Sequence, residues 1–139
     1  MFVSPQAGAL SSNTAALLEL PVTANRIQTT ALLDSGATRN FISRALAKEC
    51  GAVLVWATPM CVSLATKSHV VRSQVATLTL LVGGVAQCLE CRVVPELAGS
   101  LVLGYAWLQA VNPAIDWQQR TVKFEHAGET VCVSAAAAS

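Results

Sequence analysis

The sequence predicts a mostly β domain with one or two short helices. Three observations carry this. Short apolar or alternating runs recur in pairs, divided by turn-forming residues such as Thr23-Ala24-Asn25-Arg26, Gly83-Gly84 and His126-Ala127-Gly128. Only two segments carry helix start and stop signals. A length of 139 residues suits one domain with a single core and is too short for two lobes.

Residues 1–13 hold Ser, Pro, Gln, Gly and Asn without periodicity and read as a flexible lead-in to a domain over 14–134. Ala15–Val22 sets Leu18, Leu20 and Val22 against Glu19 and Pro21, a strand pattern. After the Thr23–Arg26 turn, Ile27–Leu33 returns as a second strand. Asn40-Phe41-Ile42 suits a short strand. Ser43 is then an N-cap for a helix over Arg44–Cys50, with Gly51 as its stop. Val53–Trp56 leads into a hairpin of Cys61–Leu64 and Val70–Arg72 about a polar turn, Thr66-Lys67-Ser68-His69. Val75–Val82 and Val85–Val94 form a third hairpin about Gly83-Gly84. Pro95–Ser100 is a loop, Leu101–Leu103 an apolar strand broken by Gly104, and Tyr105–Val111 a short helix closed by Asn112-Pro113. Thr121–Glu125 and Thr130–Val133 are terminal strands, and 135–139 is a low-complexity, frayed tail.

One stretch stands out chemically. The apolar run Ala31-Leu32-Leu33 stops at Asp34, and Ser35-Gly36-Ala37-Thr38 follows, a composition that favours a tight loop. Removing a carboxylate from water at the end of an apolar strand costs several kcal/mol, on the order of what a paired or proton-sharing arrangement must recover. Asp34 is one of two aspartates; the other, Asp116, lies between Ile115 and Trp117 with no glycine or hydroxyl neighbour. Taken alone, Asp34-Ser35-Gly36 also fits an Asx turn at a hairpin end.

Leu33-Asp34-Ser35-Gly36-Ala37 resembles the D-[ST]-G-A loop of the retropepsin-like aspartic proteases. The downstream blocks Leu101-Val102-Leu103-Gly104, Trp107-Leu108, Pro113–Trp117 and Val122-Lys123-Phe124 are similar, in order and spacing, to proteases of gypsy-type LTR retrotransposons. The resemblance runs from about Ala16 to Phe124. It implies a closed, barrel-like β domain acting as a two-fold homodimer. The implied activity is an aspartic endopeptidase, encoded by a retroelement or by a host gene derived from one. Catalysis would fall to Asp34, with Ser35 bonding across the two-fold axis and Gly36 bringing its N–H to the carboxylate. Ala37 and Thr38 complete that loop, and Leu103 and Gly104 form a second, supporting loop. Ala65, Thr66, Lys67, Ser68, His69 and Val70 would be the flap over an extended peptide or protein substrate. The chain departs from its relatives twice: no glycine lies at the flap tip, and Ala106 stands where many carry an acid before Trp-Leu. The first departure bears on flap mobility and the second on stability.

The resemblance agrees with an independent count. Metal-free peptide hydrolysis of this kind needs two carboxylates sharing one proton. One aspartate sits in a suitable loop, so the dyad requires two copies of the chain. The alternative is a dimerisation or peptide-binding module that keeps the fold and has lost catalysis.

Other classes find little support. A net charge of +1, with no basic run or aromatic platform, argues against nucleic-acid binding. No apolar run approaches the roughly 20 residues of a membrane span, and the N-terminus does not read as a signal peptide. Five cysteines without a framework pattern suggest free, buried thiols in a reducing compartment, the cytoplasm or a retroelement particle. Cys88-x-x-Cys91 has no second ligand pair, and residues three apart on a strand face opposite ways, so no metal or other cofactor is expected. Neither His69 nor His126 has a motif placing it in a nucleophilic triad. Trp56, Trp107 and Trp117 are expected in core or dimer-facing packing.

Overall fold

The computed structural model describes residues 18–57, 60–63, 68–71, 73–95, 97 and 99–136, with 60–63 and 68–71 described by backbone pairing alone. The lead-in over 1–13, Ala65–Lys67 of the expected flap and residues 137–139 of the expected tail lie outside the described residues.

The first hairpin pairs β1 (Glu19–Ala24) with β2 (Ile27–Leu33), from Glu19↔Leu32 to Ala24↔Ile27. Its turn residue Asn25 takes φ +52°, a left-handed conformation asparagine tolerates better than most residues. β2 runs parallel to β9 (Leu101–Leu103), and β9 is antiparallel to β3 (Phe41–Ser43). β3 lies parallel to β8 (Val85–Val94), which forms a hairpin with β7 (Gln74–Val82). β7 then meets β1 through Thr23↔Leu81 and Ala24↔Leu80, closing six strands in the order β1-β2-β9-β3-β8-β7.

The closure is asymmetric. One edge of β7 pairs wholly with β8, while the other is shared between β1 and an outlying strand, β4 (Val53–Trp56). Asn25 bridges the gap between them. Its backbone N–H donates to the Thr79 carbonyl at 2.8 Å and its side-chain oxygen accepts from the Thr79 N–H at 2.8 Å. A sheet edge left unpaired at this point would cost backbone hydrogen bonds, which the asparagine replaces.

The apolar runs that end β2 and form β9 do not alternate because both faces of these strands are covered. Ala31, Leu33, Leu101 and Leu103 enter the main core, and Leu32 and Val102 enter a second cluster on the opposite face. A separate three-stranded sheet, β10 (Ala114–Asp116), β11 (Thr121–His126) and β12 (Glu129–Ser134), adds Val122, Phe124 and Val133 to the main core. It locks onto the β7–β8 turn. A Cβ on Gly83 would lie 2.6 Å from a Val131 methyl and 2.8 Å from a Val133 methyl.

Both helices end as expected. α1 (Arg44–Glu49) is capped by Ser43, whose Oγ accepts from the Leu46 N–H at 3.1 Å, and is stopped by Gly51 at φ +69°. α2 (Tyr105–Val111) ends at Asn112 in the left-handed region. Trp107 is buried beneath α2, its indole N–H donating to Gln87 Oε1 at 2.8 Å.

Several expectations need correction. β1 runs on to Ala24, because Thr23 and Ala24 gain partners in both β2 and β7. β10 went unseen, being three residues long and too short to show alternation. The fifth and sixth strands, β5 (Met60–Ser63) and β6 (Ser68–Val71), form the expected hairpin, but Ser68 and His69 belong to its ladder and not to a turn. The Met60↔Val71 register carries both polar residues into strand, as pairing overrides a weak local propensity. Of the three tryptophans expected in core or dimer-facing packing, Trp107 is core, while Trp56 and Trp117 are 58% and 57% exposed on the single chain. Cys50 and Cys91 are buried free thiols, but Cys88 and Cys132 are exposed.

Candidate active site

The loop after β2 is held by its own backbone and by a second loop. The Asp34 N–H donates to the Leu103 carbonyl at 3.0 Å, extending the β2–β9 pairing by one residue. The Ala37 N–H donates back to the Asp34 carbonyl at 3.0 Å and closes a turn. The Gly36 N–H donates to Asp34 Oδ1 at 3.0 Å. That last bond is an Asx turn, so the two sequence readings of Asp34-Ser35-Gly36 describe the same geometry. Among the described residues no other donor reaches the Asp34 carboxylate. Asp34 and Gly36 are half-buried, Ala37 is buried, and Ser35 and Thr38 are exposed. The Ser35 hydroxyl has no hydrogen-bond partner among the described residues.

The second loop, Leu103-Gly104, locks onto the first. The Tyr105 N–H donates to the Ala37 carbonyl at 2.7 Å, and the Gly104 N–H to Asn40 Oδ1 at 3.0 Å. Glycine is required at 104 by space and not by dihedral angle, since its φ is −95°. A Cβ there would stand 2.2 Å from the Arg39 carbonyl oxygen and 2.6 Å from that of Ala37. The chain thus crosses itself at van der Waals contact directly behind Asp34.

Of the sequence-predicted site residues, Asp34–Thr38, Leu103 and Gly104 come together here. Ser68, His69 and Val70 lie on β6 in the separate two-stranded hairpin. The base of that hairpin is fastened where the Ala57 N–H donates to the Ser73 carbonyl at 2.8 Å. Around the Asp34 loop lies the second apolar cluster, buried Leu32, Ala37 and Val102 with partly exposed Phe41 and Leu97. Asp116 is occupied elsewhere: its Oδ1 accepts from the N–H groups of Gln118 and Gln119 at 3.0 and 2.9 Å. Its role is to cap the turn between β10 and β11. Among the described residues no three of His, Cys, Asp or Glu gather as metal ligands. Cys88 and Cys91 face opposite sides of β8, one exposed and one buried.

Sequence reading missed Asn40. It is 6% exposed, and its neighbours Phe41 and Ile42 led to a plain strand assignment. A polar amide opening an apolar strand just after the aspartate loop was the available signal. A cavity of about 590 Å³ between β8 and α2 backs onto Asn40 but does not include Asp34.

Comparison with known proteins matches this arrangement. The retroviral protease-like domain of Ddi1 from Leishmania major superposes with a TM-score of 0.62 at 16% identity, covering 87% of this chain and 94% of that one. A retropepsin-like aspartic protease from Rickettsia conorii gives a TM-score of 0.54 at 15% identity, covering 87% of this chain and 85% of the other. At such identities the likeness shows the retropepsin fold and nothing finer. In sequence, no curated protein matches the chain. No helix among the described residues is long and apolar enough to cross a membrane. The family model of the PEG10/RTL1 protease domain matches residues 30–132, from β2 through the Asp34 loop, the β7–β8 hairpin and the Gly104 crossing to β12, and the chain belongs to that family.

Proposed function

We propose that the chain is an aspartic endopeptidase that works as a homodimer, with one Asp34 from each copy forming the catalytic pair. The observation that carries this reading is the Asp34 carboxylate itself. One of its oxygens is held by the Gly36 N–H, no further donor reaches it among the described residues, and the loop is braced from behind by Leu103 and Gly104. A structural carboxylate in a turn is normally satisfied locally, as Asp116 is. Asp34 is held by a braced loop and, among the described residues, meets a single donor.

A two-fold axis beside the exposed Ser35 would bring two such carboxylates to about 3 Å, as in other aspartic proteases, where both cannot ionise at once. The ionised member takes a proton from a water whose oxygen attacks the scissile carbonyl carbon. The protonated member delivers its proton to the carbonyl oxygen. Collapse of the tetrahedral intermediate passes a proton to the departing amine and breaks the C–N bond. Each Ser35 hydroxyl, without a partner among the described residues of its own chain, is available to bond across the axis. The substrate is an extended peptide paired through its main chain. The cluster of Leu32, Ala37, Val102, Phe41 and Leu97 beside the loop supports a preference for apolar side chains next to the cleaved bond.

The test is to incubate the purified domain with a mixed peptide library between pH 4 and 7 and read the products by mass spectrometry, with Asp34→Asn in parallel. Cuts between apolar residues that vanish in the variant are expected. A dimeric sample that cuts nothing at any pH would overturn the enzymatic reading in favour of a peptide-binding module. Cuts that survive the substitution would overturn the assignment of Asp34.

A further inference from the structure

We propose that Asn40 is the positioning residue that sets the height of the Asp34 loop against the second loop. The inference rests on the endopeptidase reading for its kinetic consequence, though not for its structural one. Three hydrogen bonds join the two loops: Asp34 N–H to Leu103 carbonyl, Tyr105 N–H to Ala37 carbonyl, and Gly104 N–H to Asn40 Oδ1. The first two are backbone to backbone. The third is made by a side chain, so it is the one of the three that a substitution removes outright.

Asn40 also fixes the junction to the barrel wall. Its Nδ2 donates to the Glu90 carbonyl at 3.2 Å, and its own carbonyl accepts the Arg92 N–H at 2.9 Å. Its partners dictate which way the amide points. Gly104 N–H can only donate and Glu90 C=O can only accept, so oxygen faces the loop and nitrogen faces β8. The bond to Gly104 is buried, where water is a poor substitute, while the bond to Glu90 is part-buried beside the cavity. Asn40 therefore spans from β8 to the loop behind the carboxylate as a strut of fixed length.

The strut matters because proton sharing between two carboxyls is steep in distance, and a displacement of about 1 Å at an active site can cost on the order of 100-fold in rate. An engineered aspartate offers a direct test. A protonated carboxyl at position 40 reproduces the amide, its C=O accepting from Gly104 and its O–H donating to the Glu90 carbonyl. Ionised, it has lost that donor and sets a negative charge against a carbonyl oxygen. The ionisable groups beside it are Arg39, Cys88, Glu90, Cys91 and Arg92 around the shared cavity, with Asp34 and Tyr105 on the joined loops. Arg39, Arg92 and the Gly104 N–H favour ionisation, while burial, Asp34, Glu90 and the loss of the donor to the Glu90 carbonyl oppose it. The midpoint of the introduced carboxyl is therefore read directly by NMR, and the kinetics are compared on either side of it.

The experiment compares the wild-type chain with Asn40→Asp and Asn40→Ala at pH values on both sides of that midpoint. Cleavage kinetics, thermal unfolding and the exchange rate of the Gly104 amide by NMR are measured on each. For Asn40→Ala, kcat should fall about tenfold to 100-fold with KM little changed, and Gly104 exchange should accelerate at every pH. For Asn40→Asp, the ratio of kcat to wild type should lie near one below the midpoint and fall towards the alanine level above it. Gly104 protection should follow the same titration. An Asn40→Asp variant that matches Asn40→Ala on both sides of the midpoint, or wild-type kcat and Gly104 protection in Asn40→Ala, overturns the proposal. If Asn40→Ala does not fold, the Asn40→Asp titration decides alone. If the wild-type chain cleaves nothing, the endopeptidase reading fails, and the Gly104 exchange titration still decides whether Asn40 is the strut.

Discussion

Gly104→Ala tests the crossing behind Asp34 directly. A methyl group there would lie 2.2 Å from the Arg39 carbonyl oxygen, 2.6 Å from the Ala37 carbonyl oxygen and 2.9 Å from the Arg39 carbonyl carbon. All three are backbone atoms, so no side chain can swing away. Reaching ordinary contact requires the loops to part by about 1 Å, since van der Waals separations begin near 3.5 Å. Overpacking of this kind costs about 1–3 kcal/mol. The parting also strains the Tyr105–Ala37 and Gly104–Asn40 bonds, at about 0.5–1.5 kcal/mol each. The expected total is about 2–6 kcal/mol, or a fall in Tm of roughly 7–20 °C for a domain of this size. Urea unfolding followed by circular dichroism measures it, with an unchanged m-value expected if the compactness of the unfolded state is unaffected. Gly51→Ala is the control. That glycine sits at φ +69° with nothing within 4 Å of a Cβ, so only backbone strain of about 1–2 kcal/mol is expected. A loss under about 0.5 kcal/mol in Gly104→Ala would refute the tight crossing, because a contact of that severity cannot be absorbed so cheaply.

Burial pushes the Cys91 thiol up to about 12, with the neighbouring Cys50 and Glu90 adding smaller contributions in the same direction. In the unfolded chain the thiol ionises nearer its ordinary value, so above about pH 9 the unfolded state holds fewer protons than the folded one. Stability from this group is therefore complete below that pH and declines as pH climbs towards 12, by at most about 1.4 kcal/mol per pH unit. Alkaline urea titrations of wild type and Cys91→Ala should differ in slope over that window, and equal slopes would disprove the burial effect. Alkylation mapped by mass spectrometry should label the exposed Cys88 and Cys132 at pH 8 and leave Cys91 unmodified. Asp116→Ala should cost about 1–2 kcal/mol through the two turn hydrogen bonds it removes, without abolishing cleavage. Loss of cleavage in a folded Asp116→Ala variant would make Asp116 part of the catalytic apparatus.

The most legible parts of the sequence were those ruled by local chemistry. Ser43 announced a helix start and Gly51 its stop. Gly83-Gly84, both at positive φ, announced the turn between β7 and β8. β2 was read to its exact limits because Ile27 follows a turn and Asp34 ends an apolar run. The aspartate loop was legible for the same reason, since a carboxylate, a hydroxyl and a glycine at a strand end have few alternatives. Short or contact-dependent features were hidden. Three residues of β10 hold no period, and Ser68 and His69 look like turn residues until the Met60↔Val71 register places them in a ladder. The exposure of Trp56, Cys88 and Cys132 depended on which face each strand turned outward, and that of Trp117 on its place in the turn after β10.

By itself, then, the sequence determined which segments pair with their neighbours in the chain, where the helices begin and end, and which carboxylate stands in a loop suited to chemistry. Each of these follows from a few adjacent residues and their dihedral or hydrogen-bonding preferences. Only the tertiary structure decided that β9 slides between β2 and β3, that Asn25 splices the shared edge of β7, and that Gly104 must be bare because the Ala37–Arg39 backbone passes over it. It also decided that Asn40 joins two loops 64 residues apart. Those contacts are set by the closure of the barrel, in which non-local strands become neighbours through shared burial and not through sequence proximity.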